Sequence, residues 1–342
     1  MALPESSRFQ LTPDMSICRV LNGMWQVSGA HGPIESNAAI DSMLAHHDRG
    51  FTTWDLADHY GPAEDFIGEY RQRLIASRGR DELQQMQAFT KWVPPPGPMT
   101  RRIVESNIDV SLRRMNVEAL DMLQFHWWDY DDPRYLDALH HLAQLRDEGK
   151  IRHLGLTNFD TATLEKIIDG GIGIVSNQVQ YSLVDLRPEV QMAQFCQGRG
   201  IRLLTYGTLC GGLLSDRYLG QPEPTPGALN TASLRKYKQM IDAWGGWSLF
   251  QELLTTLSGV AAHHDASTAN VAVRYVLDRP VVAGVIVGAR LGVAEHLKDN
   301  ARVFDISLSE EERERIQAVT SRGNDLFAII GDCGDEYRRL IM

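Results

Sequence analysis

The stretch "FTTWDLADHYGPAEDFIGEY", residues 51–70, runs from an apolar, β-branched segment into an acid, a histidine and a tyrosine, then through a Gly-Pro turn into a helical pattern. It reads as a buried strand ending at Asp55, a loop carrying Tyr60, and a helix beyond. The same unit recurs along the chain. Strand-like runs stand at "CRVLNGMW" from residue 18, "FTTWD" from 51, "QAFTK" from 87, "LDMLQFH" from 120, "IRHLGLT" from 151, "IVSNQVQ" from 174, "IRLLTY" from 201 and "VVAGVIVG" from 281. Helical periodicity fills the gaps. "RRIVESNIDVSLRRMNV" aligns Val104, Ile108, Leu112 and Met115 on one stripe. "YLDALHHLAQLRDEGK" aligns Leu136, Leu139 and Ala143 and stops at Gly149.

Eight strand-then-helix units imply parallel strands with crossover helices, and eight is the number that closes a barrel. The expected class is α/β, a (β/α)8 TIM barrel forming a single domain over residues 1–342. An open doubly wound sheet is the alternative, but no GxGxxG turn follows the first strand. Residues 1–17, with "RFQLTPDMSI", read as an N-terminal hairpin. The spacing breaks once, between the seventh and eighth strands, where residues 207–266 read as a loop and helical insertion. Residues 321–342 form a C-terminal tail without a clear pattern.

With 43% hydrophobic and 23% charged residues, and no apolar run near the roughly 18–20 residues of a bilayer span, the chain reads as soluble and globular. A net charge of -10 argues against a broad nucleic-acid or anionic-membrane surface and favours a small-molecule partner. Cys18, Cys196, Cys210 and Cys333 lie far apart without a CxxC pair, so they read as free thiols rather than a metal site or disulfide framework. The N-terminus shows no secretory pattern, and the cytoplasm is the expected compartment.

In a barrel of this class, chemistry collects where strands end. The second strand ends at Asp55, the third at Lys91, the fourth at His126, the fifth at Thr157 and Asn158, the seventh at Tyr206, and the eighth at Gly288 with Arg290 just beyond. Gln178 lies within the sixth. A lysine closing an apolar strand is costly to bury without a carboxylate, and Asp55 is one strand away. Singly, Asp55 reads as a cap, Lys91 as a snorkelling lysine and His126 as a core histidine; three such residues on successive strand ends read as a site. An ammonium beside Tyr60 is expected to lower the phenol's pKa, and His126 to bond the oxygen that Tyr60 protonates. This is an acid set without a nucleophile. It suits protonation of a carbonyl oxygen while the carbon receives a hydride from a cofactor.

These segments together resemble the aldo-keto reductases. "WDLADHYG" is similar to that family's D-x-A-x-x-Y-G signature, "AFTKW" to its lysine strand and "LQFHWWD" to its histidine strand. "GKIRHLGLTNF" resembles its G-K-x-R-x-x-G-x-S-N-F stretch, with Thr157 where serine is usual. "SNQVQYS", "TYGTLCGGLL" and "IVGARLGVAEHLKDN" match later segments in order, so the resemblance spans roughly residues 8–320. It implies catalytic roles for Asp55, Tyr60, Lys91 and His126, with Tyr60 as general acid. It also implies an NADPH site, with NADH as the alternative. Met24, Trp25 and Asp55 would border that cofactor, Thr157, Asn158 and Gln178 would hold its carboxamide, and Tyr206 would stack on the nicotinamide. Gly207, Thr208, Leu209 and Gly212 would line the pyrophosphate, glycine permitting close backbone approach. Gly288, Arg290, His296 and Asn300 would hold the adenosine end, Arg290 suiting a 2′-phosphate; His296 stands where the family more often has glutamine.

The expected substrate is a small carbonyl compound, an aldehyde, ketone or sugar, against Trp25, Trp92, His126 and Trp127, with His59 and Trp128 near them in sequence. A metal-dependent hydrolase is a rival, but His46-His47, His140-His141 and His263-His264 fall in helical stretches, where adjacent side chains diverge, and no metal is expected. The rival of another class is an NADPH-binding regulatory subunit with little turnover.

Overall fold

Why the eight apolar runs become strands follows from their surroundings: a closed parallel sheet turns one face to its own interior and the other to helices, so each strand is covered twice. The computed structural model describes residues 3–29, 34–293 and 296–338. It begins with an antiparallel hairpin, β1 (Arg8–Thr12) and β2 (Met15–Cys18), with Phe9 opposite Ile17. The barrel strands follow as β3 (Val20–Gly23), β4 (Thr53–Asp55), β5 (Gln87–Trp92), β6 (Leu120–Phe125), β7 (Ile151–Thr157), β8 (Ser176–Gln180), β9 (Arg202–Tyr206) and β10 (Val282–Gly288). Successive strands pair in parallel, and β10 closes on β3 with Val285 opposite Val20 and Gly288 opposite Gly23. All six residues of β5, Lys91 included, are buried.

Outside the strands run α1 (Ser36–Asp48), α2 (Ala63–Arg78), α3 (Arg101–Met115), α4 (Arg134–Asp147), α5 (Thr161–Asp169) and α6 (Met192–Arg199). The Thr100 side chain caps α3 by accepting from the Ile103 amide, and Asn116 ends it at φ 53°. Between them the expected stripe of Val104, Ile108, Leu112 and Met115 is buried. The stripe of α4 differs from expectation: Tyr135, Ala138, Leu139, Leu142 and Leu145 are buried, while Leu136 and Ala143 flank it half-buried. The covered face of a helix against a sheet is broad, and the expected seam lay along its edge. Gly68 lets α2 and α3 meet closely, since a Cβ there would stand 2.2 Å from the Arg114 carbonyl oxygen.

The hairpin closes the bottom of the barrel. Leu11, Met15 and Ile17 join Leu21, Phe89, Met122, Leu204 and Ala283 in one buried cluster. At the other end β9 leads into the insertion, which makes short turns and then α7 (Ala232–Trp244) and α8 (Gly246–His263), before α9 (Thr268–Leu277) returns to β10. The chain finishes with α10 (Leu297–Arg302), α11 (Glu310–Thr320) and α12 (Leu326–Ile330). Apolar faces of α7, α8, α9 and α11 form a second cluster around Ile241, Phe250, Leu254, Ala272 and Ile316. The four cysteines are buried and free. Among the described residues no helix is long and apolar enough to cross a membrane.

Candidate active site

The strand ends bring the predicted acid set together. Lys91 Nζ donates to both Asp55 carboxylate oxygens at 2.7 Å, and each side chain is only 5% exposed. Burial draws the ammonium's pKa below its ordinary value, and the charge and hydrogen bonds of Asp55 oppose that pull. Asp55 Oδ1 also accepts from Gln124 Nε2 at 2.9 Å and Gln178 Nε2 at 2.7 Å. The same Gln178 nitrogen reaches Gln124 Oε1 at 2.7 Å. Gln178, expected on a nicotinamide carboxamide, thus commits its amide nitrogen to the charge pair. Gln124 is a residue the sequence reasoning passed over; its signal was an uncharged polar side chain inside an apolar strand, one position before Phe125 and beside Lys91 in register.

Tyr60 lies at the mouth in the loop after β4. Its ring meets Trp25 edge-on at 5.0 Å and His59 at 4.9 Å, and Lys91 Nζ is 5.2 Å from its centroid. The expectation that Lys91 lowers the phenol's pKa is corrected here. Loss of solvent, and after it the negative charge of Asp55, hold Tyr60 well above its ordinary value. An ammonium bound at 2.7 Å by a carboxylate presents little net field to a third group. Tyr60 therefore keeps its proton and is a donor.

His126 follows β6, and its Nδ1 stands 3.1 Å from the Thr157 carbonyl oxygen, a partner that can only accept. Burial pushes the ring's pKa down to about 4. The imidazole is neutral at pH 7, protonated at Nδ1, with Nε2 left as an acceptor. It cannot donate to a carbonyl oxygen, but it can accept from the hydroxyl of an alcohol. Because the ring titrates near 6.5 when unfolded and about 4 when folded, the unfolded chain binds more protons between those values. His126 thus adds stability above pH 6.5 that is lost as pH falls towards 4, about 3 kcal/mol in all. Urea unfolding at pH 7, 5.5 and 4.5 should show a shallower pH dependence for His126→Gln than for the unsubstituted chain; parallel curves would remove this contribution.

Around the mouth, Trp25 and Trp128 are 37% and 39% exposed, and Trp128 meets His126 edge-on at 4.4 Å. Trp92 and Trp127, expected to touch substrate, are instead 3% and 0% exposed. Both pack on Phe125 at ring separations of 5.5 and 6.0 Å, and Trp127 Nε1 donates to the Asp132 carbonyl. Strand alternation accounts for this correction: each follows a residue that points into the barrel, Lys91 or His126, and so points out toward the helices.

The expected cofactor residues lie at or beyond the ends of β3, β4, β7, β9 and β10, with Gln178 within β8. Met24 is buried, its amide on the Asp55 carbonyl at 2.9 Å. Thr157 Oγ1 donates to the Gln178 carbonyl at 3.3 Å. Asn158, at φ 59°, accepts from Tyr206 Oη at 2.8 Å through its side-chain oxygen. Thr208 turns inward to the Tyr181 carbonyl at 2.8 Å, and Leu209 is half-buried. At Gly207 a Cβ would strike Tyr237 of α7, so only glycine fits there. Gly212, at φ 99°, does face open space. Arg290 is exposed and makes no ion pair among the described residues, with His296 and Asn300 on the turn and helix beyond it. The buried Gln26 Oε1 has no hydrogen-bond partner among the described residues, and its side chain packs directly on Gly288. The orphaned Gln26 oxygen fits a donor such as a ribose hydroxyl, and the exposed Arg290 guanidinium fits an anionic group.

No group of three or more histidine, cysteine, aspartate or glutamate side chains among the described residues is arranged to hold a metal. The paired histidines are spent on local partners, His47 on Glu82 and Tyr70, and both His263 and His264 on Glu312.

Residues 19–321 match the profile of the Aldo/keto reductase family. The chain is 27% identical over 330 residues to L-glyceraldehyde 3-phosphate reductase of Escherichia coli O157:H7, covering 88% of each. It is 29% identical over 259 residues to flagellar radial spoke protein 5 of Chlamydomonas reinhardtii, covering 65% of this chain and about half (49%) of that one. Among solved structures, an aldo/keto reductase from Klebsiella pneumoniae in complex with NADP and acetate aligns with a TM-score of 0.68 at 21% identity, covering 92% of this chain and 95% of that one. With its eight-stranded barrel and a profile match across most of its length, the chain belongs to the aldo/keto reductase family of oxidoreductases.

Proposed function

We propose that this chain reduces a small aldehyde, ketone or sugar carbonyl to the alcohol, or runs the reverse oxidation, with NADPH as the preferred cofactor and NADH as the alternative. The observation that carries the reading is the buried Lys91–Asp55 pair, 2.7 Å across, beside a phenol that keeps its proton. When bound, the nicotinamide supplies a hydride to the carbonyl carbon. Tyr60 gives its proton to the carbonyl oxygen, and regains one from solvent before the next turnover. His126 Nε2 accepts from the new hydroxyl and fixes the oxygen near Tyr60. Trp25 and Trp128 wall the opening and leave room for an apolar or sugar-like remainder.

The residues that would hold the cofactor are Thr157, Asn158 and Tyr206 at the nicotinamide end, Gly212 along the pyrophosphate, and Arg290 with Asn300 at the adenosine end. The NADP complex of the Klebsiella protein supports the choice of NADP. A charge-assisted contact to a 2′-phosphate predicts that Arg290→Ala weakens NADPH roughly tenfold to a hundredfold while NADH binding changes little. Titration of both cofactors checks this, and equal losses would take Arg290 off the phosphate. The reading as a whole is tested by following NADPH absorbance with a panel of aldehydes, ketones and sugars. Tight cofactor binding without oxidation by any of them would favour the regulatory-subunit reading.

A further inference from the structure

The tail brings to the mouth a side chain that the barrel strands do not supply. Tyr337 stands beside His126 with ring centroids 6.1 Å apart, and its hydroxyl is 3.1 Å from that of Tyr206. Lys236, from α7, donates to Tyr337 Oη at 2.6 Å, its ammonium 4.4 Å from the Tyr337 ring centre and 5.4 Å from those of Tyr206 and Tyr237. Lys236 forms no ion pair among the described residues; its charge faces this cluster and, against the upward push of burial and after the larger effect of Arg187, helps to lower the pKa of Glu336.

Tyr337 is held on both sides. Glu336 accepts from Arg187 at 2.9 Å, and Arg187 is itself paired with Asp185 at 2.8 Å. Arg338 donates to the Asn158 and Trp127 carbonyls at 2.6 and 2.7 Å and lies 3.8 Å above the Tyr130 ring. Earlier in the same segment, Asp332 accepts from the Thr161 amide at 2.7 Å. The tail is clamped where it crosses the site.

These contacts have a direction. An ammonium only donates, so Tyr337 Oη accepts from Lys236, which makes its own proton the better donor. Since Tyr206 Oη donates its own proton to Asn158 Oδ1 at 2.8 Å, the proton between the two hydroxyls comes from Tyr337. The amide of Asn158 is then fixed with its oxygen toward Tyr206 and its Nδ2 hydrogens left over. We propose that Lys236 and Tyr337 are positioning residues that set the hydrogen-bond polarity of Asn158, so that its amide offers the cofactor a donor suited to a carboxamide oxygen. The inference rests on the NAD(P)H reading above.

The test is NADPH affinity measured without substrate, by quenching of intrinsic fluorescence. Lys236→Met and Tyr337→Phe should each weaken binding roughly fivefold to tenfold, the worth of one polarised hydrogen bond. Because both act through one chain of bonds, the double variant should bind no worse than the weaker single. Lys236→Arg, which still only donates, should restore affinity. Unchanged affinity in both singles, additive losses in the double, or failure of the arginine variant would each overturn the relay. If the unsubstituted chain binds neither NADPH nor NADH, the proposed function itself falls, and this inference with it.

Discussion

Tyr60→Phe is expected to lower carbonyl reduction by roughly a hundredfold to ten-thousandfold, the usual range for removing a positioned general acid, while NADPH affinity stays within about twofold. Loss of solvent and the charge of Asp55 hold this phenol protonated beside Lys91. Phenylalanine preserves the edge-on packing against Trp25 and His59, so the aromatic wall should survive. Single-turnover rates with saturating cofactor would show the effect in chemistry rather than binding. A variant that keeps its rate would take Tyr60 out of the reaction, since His126 holds its one proton on the Thr157 carbonyl and is no substitute.

Lys91→Met is expected to abolish reduction as well, and also to destabilise the fold by about 3–5 kcal/mol, because it strands a buried carboxylate. Gln124 and Gln178 still donate to Asp55, but neutral amides do not replace an ammonium 2.7 Å away. Urea unfolding separates the two losses. Combining Lys91→Met with Asp55→Asn removes the charge yet keeps an acceptor for both glutamines, and should restore most of the stability without restoring activity. If the double variant stays as unstable as Lys91→Met, the cost lies in packing rather than in the charge.

Much of this architecture was legible because doubly covered strands are rich in apolar, β-branched residues and alternate with helical periodicity, a pattern that reaches even β8, whose Ser176, Asn177, Gln178 and Gln180 are buried beside Val179. Asp55, Lys91 and His126 were legible for the converse reason: charge at the end of such a run demands an explanation. Trp92 and Trp127 were misplaced by reading proximity in sequence as proximity in space, although period-two alternation after Lys91 and His126 would have turned them outward. Lys236, Tyr337 and Arg338 were not legible at all. Arg338 meets Asn158 across 180 positions, and a contact of that separation leaves no local pattern to find. The polarity of His126 was equally hidden, since it depends on a backbone carbonyl of the next strand.

The β1–β2 hairpin has one more consequence. With Leu11, Met15 and Ile17 stoppering the base beneath Phe89 and Met122, the cylinder behaves, among the described residues, as a bottle open at its neck. Water and protons that reach the Asp55–Lys91 pair must pass the same opening that admits reactants. Whatever occupies that neck also seals the pair from bulk solvent, so the reacting oxygen draws its proton from the protein's own stock.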